Sequence, residues 1–221
     1  MTRASASLVA FLGLLAAGTT AARQAPEAVS FPTPDGGTIH ADLYGKGTHA
    51  VLLAHGRIFD KESWAPLARR LEADGYQVLA IDFRGYGDSS GGTGGLEQDV
   101  LGGIRYLREE QQATAVSVIG GSMGSGAAAQ AAVLAAPGQI DALVLLSGGW
   151  VETPEQLHAA RILYIASEAE PMTPGIREQY ERAPQPRKLV LLPGDAHAQH
   201  IFKTDQAERL TEEILDFLAA H

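Results

Sequence analysis

Beyond residue 28 the chain alternates between continuous apolar runs and stretches of helical periodicity. Residues 29–31 and 38–43 flank Asp35-Gly36-Gly37, and two short strand-like runs about such a turn predict a β-hairpin. Ala50-Val51-Leu52-Leu53-Ala54 is apolar at every position, the pattern of a strand buried on both faces of a parallel sheet. The period then changes. Trp64, Leu67, Ala68 and Leu71 fall at i, i+3, i+4 and i+7, which predicts a helix over 60–73 with Asp60 as N-cap and Gly75 as stop. A buried strand follows at 77–81, and Leu96, Val100, Ile104 and Leu107 mark the next helix. Residues 115–119 read as a strand, and 124–136 as an Ala-rich helix stopped by Pro137-Gly138. Two more strands are predicted at 140–146 and 162–166. Thr173 as N-cap and Pro174 at the first helical position predict a helix to residue 183. Residues 188–192 form the last strand. Residues 205–219 form a closing amphipathic helix, with Asp205 and Glu208 spaced as a capping box.

The order β-α-β-α with short connectors predicts an α/β fold: a doubly wound, mostly parallel sheet with helices on both faces and an antiparallel hairpin at one edge. No repeat or linker interrupts residues 23–221, so they are read as one domain. The start of the chain differs. Arg3 precedes an apolar run over 8–17, and Thr20-Ala21-Ala22 offers small residues where a signal peptidase cuts. This predicts a signal peptide over 1–22 and export of the rest, since the apolar run is shorter than the roughly 20 residues a bilayer core requires.

Parallel sheets bind ligands at the carboxyl ends of their strands, so polar residues just after each apolar run are the candidates for chemistry. Gly120-Gly121-Ser122-Met123-Gly124 follows one strand and opens a helix, the context of a G-x-S-x-G nucleophile turn. Small residues on either side let strand and helix approach, and the Ser122 hydroxyl then projects at a helix N-terminus, where backbone N–H groups favour negative charge. A phosphate-binding turn would need other glycine spacings or a Lys-Ser/Thr pair. A serine needs a base. Of seven histidines, His40 and His49 lie near the edge hairpin, His158 in a connector and His221 at the end, while His55 precedes a glycine with another task. His197 sits in the loop between the last strand and last helix and is the candidate base, with His200 as its rival. The acid that orients the base is expected between Ser122 and His197, after a strand. Glu170 is the first candidate and Glu168 the second. Two backbone donors should hold a developing oxyanion: the amide of Met123, and that of Arg57 in His55-Gly56-Arg57.

Charge and cysteine content narrow the classes. The net charge of −9 and the lack of any long Lys/Arg run argue against nucleic acid or anionic lipid as partners. There are no cysteines, so thiolate nucleophiles and Cys-ligated metals are excluded. The set His55-Gly56-Arg57, Asp82-Phe83-Arg84-Gly85-Tyr86-Gly87-Asp88-Ser89, the turn at Gly120 to Gly124, the Glu170 loop and the His197 loop resembles the α/β-hydrolase family over nearly the whole mature chain. The second piece is read as a structural brace. The resemblance, closest in kind to lidless serine esterases and dienelactone hydrolases, implies a serine hydrolase with no metal or organic cofactor. The chain departs from the family in using Glu where Asp is commoner. It also has only about a dozen residues between strands where many lipases insert a lid. An open cleft suits small or soluble ester substrates, with Phe59, Trp150 and Phe202 as candidate pocket residues. Thioester, lactone and peptide hydrolysis remain open, as does a non-catalytic binding module.

Overall fold

A computed structural model of the chain describes residues 24–220; the predicted signal segment lies outside them. The described residues hold nine strands and five α-helices: β1 (Glu27–Pro32), β2 (Gly37–Tyr44), β3 (His49–Ala54), α1 (Ala65–Ala73), β4 (Gln77–Ile81), β5 (Ser90–Gly91), α2 (Glu97–Glu109), β6 (Ala115–Gly121), α3 (Met123–Leu134), β7 (Ala142–Leu146), β8 (Ile162–Ser167), α4 (Thr173–Arg182), β9 (Arg187–Leu192) and α5 (Ala207–Ala219). The sheet order is β1-β2-β4-β3-β6-β7-β8-β9, with β5 paired to β2. β1, β2 and β5 are antiparallel additions, and β4, β3, β6, β7, β8 and β9 run parallel. The predicted doubly wound α/β architecture is the observed one.

The apolar runs work as their period requires. Side chains alternate across a strand, so in β3 Val51 and Leu53 join one core while Ala50, Leu52 and Ala54 join the other. Helices α1 and α5 cover the first face with Leu67, Leu71, Leu210 and Ile214. Helices α2, α3 and α4 cover the second with Ile104, a run of buried alanines and Ile176. The alanines of α3 bring its backbone close to β6 and β7, so the start of this helix is placed by the sheet rather than by long side chains.

Several boundaries differ from expectation for local reasons. The stretch before α1 begins as a 3₁₀ turn over Lys61–Trp64; Asp60 caps that turn, accepting from the Ser63 N–H at 3.1 Å. Thr173 is inside α4 rather than its N-cap, because its hydroxyl donates to the Ser167 carbonyl at 2.6 Å. The capping box at Asp205 does not form: α5 starts at Ala207, and the Thr204 hydroxyl takes the Gln206 N–H instead. The strand expected from residue 140 starts at Ala142, with Ile140 bridged to Ala159.

The chain steps outward from β3 to β4 and then crosses back to β6 on the other side of β3, which makes the β3/β6 edge the topological switch point. Register brings the strand ends level: Ala54 faces Gly120, Gly121 faces Leu146, and Ser167 faces Leu192. The loops after β3, β6, β7, β8 and β9 therefore open on one edge. Between β7 and β8 the described chain has one short 3₁₀ turn, Pro154–Gln156, and no lid.

Candidate active site

Ser122 stands between β6 and α3 with φ +52° and ψ −112°, a backbone that L-residues avoid and that costs about 1–3 kcal/mol unless its surroundings hold it. Its N–H donates to the Leu146 carbonyl at 2.8 Å, and the buried Ser125 hydroxyl, 2.9 Å from that same carbonyl, closes the turn from below. A methyl on Gly120 would collide with the Gly124 carbonyl, and one on Gly124 with the Ala54 carbonyl. These two positions are glycine because strand and helix backbones touch there.

The Ser122 hydroxyl lies 2.8 Å from His197 Nε2, and His197 Nδ1 lies 3.0 Å from Glu170 Oε2. A carboxylate only accepts, so Nδ1 carries the proton and Nε2 is free to accept from the serine. His197 is 38% exposed at its side chain, while that of Glu170 is fully buried. Burial pushes the Glu170 carboxyl above the usual range; hydrogen bonding to His197 and the nearby Ser147 hydroxyl pull it back. Glu168, the alternative acid, is exposed and its N–H is tied to the Leu192 carbonyl at 2.8 Å. His200 turns away and packs on Phe59, ring centroids 5.1 Å apart.

Two backbone amides remain for an oxyanion. Met123 opens α3, so its N–H lacks an intrahelical acceptor. The Arg57 N–H donates to no protein acceptor among the described residues. His55 lies buried beneath this loop. Its Nδ1–H donates to the Gly56 carbonyl at 2.9 Å and its Nε2 accepts from the Phe83 N–H at 3.2 Å. That pattern is a neutral imidazole, in keeping with burial lowering its basicity.

The family model described as serine aminopeptidase, S33, matches residues 45–200, the segment holding all of these groups. The chain belongs to this family of α/β-hydrolases. Over 116 residues it is 34% identical to a 2-hydroxy-6-oxononadienedioate/2-hydroxy-6-oxononatrienedioate hydrolase of Cupriavidus pinatubonensis; the match takes in 50% of this chain but only 40% of that protein's length. An esterase of Pyrococcus furiosus superposes with a TM-score of 0.73 at 17% identity, covering 87% of this chain and 89% of its own. A dienelactone hydrolase of Anabaena variabilis does so with a TM-score of 0.72 at 20% identity, covering 88% and 97%. At such identities the two structures speak for the shared fold.

In this S33-family hydrolase the three aromatics expected to share a pocket do not. Phe59 and Phe202 line one cavity of about 450 Å³ together with Leu67, Gln199 and Lys203. Trp150 lines another with Gln130, Glu152 and Gln179, and its indole occupies the space that a side chain at position 175 would need. The physical cause is the face of the sheet: Phe202 packs with Trp64 and Leu67 in the core beneath α1 and α5, whereas the Trp150 indole lies against Gly175 of α4, which covers the opposite face. Ile58, 74% exposed, and Trp150 and Met172, 42% exposed each, present apolar surface on loops of the active edge.

Two contributors were missed in the sequence. Ser147, just after β7, is buried with φ +51°; its Oγ accepts from the Ala198 N–H at 2.9 Å, next to His197, and leans on the Glu170 carboxylate without making a regular hydrogen bond to Oε1. It was findable, since it is a polar residue at a strand end. Tyr86 donates its hydroxyl to the Arg57 carbonyl at 2.7 Å, so the segment read as a brace also reaches the Gly56-Arg57 loop. Among the described residues no group of three or more acidic or histidine side chains is arranged to hold a metal ion.

Proposed function

We propose that this hydrolase cleaves carboxylic esters through an acyl-enzyme. The observation that carries the reading is the unbroken chain from Ser122 Oγ through His197 to Glu170, set beside two unengaged amides. Ser122 Oγ attacks the ester carbonyl as Nε2 of His197 takes its proton. The carbonyl oxygen becomes an oxyanion held by the Met123 and Arg57 N–H groups. The imidazolium is steadied by Glu170, then gives its proton to the leaving alkoxide as the C–O bond breaks. A water attacks the acyl-enzyme by the same route and returns Ser122. The short β7–β8 connection leaves the mouth open, which favours small or soluble esters, with Ile58, Trp150 and Met172 available to an apolar acyl group.

Ser122→Ala should lower kcat on p-nitrophenyl acetate by at least about 10³-fold with the fold intact, and should abolish fluorophosphonate labelling. Retained activity in a folded variant sinks the mechanism. The family's description names a peptidase, so amide cleavage is the second reading. Faster turnover of aminoacyl p-nitroanilides than of esters would move the assignment to it.

A further inference from the structure

Gln199 follows the base by two residues and is buried, with only 3% exposed. Its Oε1 accepts from the Gly56 N–H at 2.7 Å, and its Nε2 donates to the Ser63 hydroxyl at 2.6 Å. The amide can sit only this way round. The Gly56 N–H is a donor, so it must face oxygen; the Ser63 hydroxyl gives its own proton to the Asp60 carbonyl, so it accepts from the NH₂ group. A methyl on Gly121 would lie 3.2 Å from Oε1, so the residue before the nucleophile leaves room for this side chain.

Gly56 is the freely rotating residue before the Arg57 amide. Its N–H is held by Gln199, and its carbonyl accepts from His55 Nδ1 and from the Phe59 N–H at 3.0 Å. Both peptide planes about Gly56 are thereby fixed. In a trans peptide the Arg57 N–H points opposite to the Gly56 carbonyl, so holding one aims the other.

We propose that Gln199 is the positioning residue of the oxyanion hole, tying the histidine loop to the Gly56-Arg57 loop. It does not touch the reacting atoms; it keeps the Arg57 amide aimed and takes the Gly56 amide out of competition. This rests on the esterase reading. Without Gln199 the Gly56 N–H loses its acceptor, and the loop turns to find another.

Gln199→Leu should lower kcat on p-nitrophenyl acetate by about 10- to 100-fold, below the 10²–10³ of losing a donor outright, with KM unchanged. Affinity for phenylboronic acid, which forms a tetrahedral adduct on serine, should fall by a similar factor, because that adduct uses the same donors. Ser63→Ala frees only the far end of the amide and should lower both by a few-fold; it decides the matter if the leucine variant does not fold. Unchanged kcat, or a fall in kcat with boronate affinity intact, overturns the proposal. Loss of activity in Ser122→Ala with no effect at Gln199 would leave the esterase reading standing and remove this one.

Discussion

Two buried carboxylates of this molecule, Asp99 and Glu170, face different partners. Asp99, fully buried at the start of α2, meets Arg84: Nη2 lies 2.6 Å from Oδ1, and the Arg84 N–H 3.0 Å from Oδ2. The same guanidinium grips Asp35 at 2.7 and 3.0 Å and so joins the β1–β2 turn to the loop after β4. Asp35 is held well below the usual carboxylate range by Arg84, while burial pushes Asp99 up and Arg84 pulls it back. Glu170 is as buried, but faces an imidazole instead of a guanidinium. The Asp99 site has a permanent counter-charge and serves architecture. The Glu170 site has none; in the proposed mechanism a counter-charge arises there only when His197 takes the serine proton.

The comparison breaks first at Glu170. Glu170→Gln keeps the shape but removes the charge, and kcat on p-nitrophenyl acetate should fall on the order of 10³- to 10⁴-fold. Stability should respond to pH in a defined direction. The folded carboxyl is raised above its ordinary 4.5, so the folded chain binds that proton more tightly than the unfolded one. Its contribution is full below 4.5 and is lost as pH rises through the raised value. Tm of the wild type should therefore gain on that of Glu170→Gln as pH is lowered across this window; the opposite trend would mean that the carboxyl is not raised.

Arg84→Met tests the other end. It strands Asp99 without its cation, and should cost about 3–5 kcal/mol in urea unfolding. A loss under 1 kcal/mol would show that the buried pair is not what holds these loops. The smallest effect belongs to Glu168→Gln: an exposed charge beside the acid loop, worth less than about 0.5 kcal/mol and leaving kcat unchanged. A large fall in kcat there would reassign the acid.

The Glu168/Glu170 pair shows where reading the chain stops. Both follow β8, and spacing alone could only rank them. The turn over 167–173, held by Thr173 on the Ser167 carbonyl, carries Glu170 inward and leaves Glu168 in solvent. Phe59, Trp150 and Phe202 were equally legible as residues after strand ends. Whether they share a wall depends on which face of the sheet each loop folds over.

What the sequence determined by itself is what short-range physics controls: buried strands from unbroken apolar runs, helices from the 3.6 period, and the tight turn at Ser122 from glycines that sterics impose at 120 and 124. Only the tertiary structure decided which acid meets His197, that Ser147 and Tyr86 join the site, and that Gln199 spans 143 positions to reach Gly56. Hydrogen bonds of that kind have no local signature. Their partners are chosen by the order in which the strands pair and by the level at which they end.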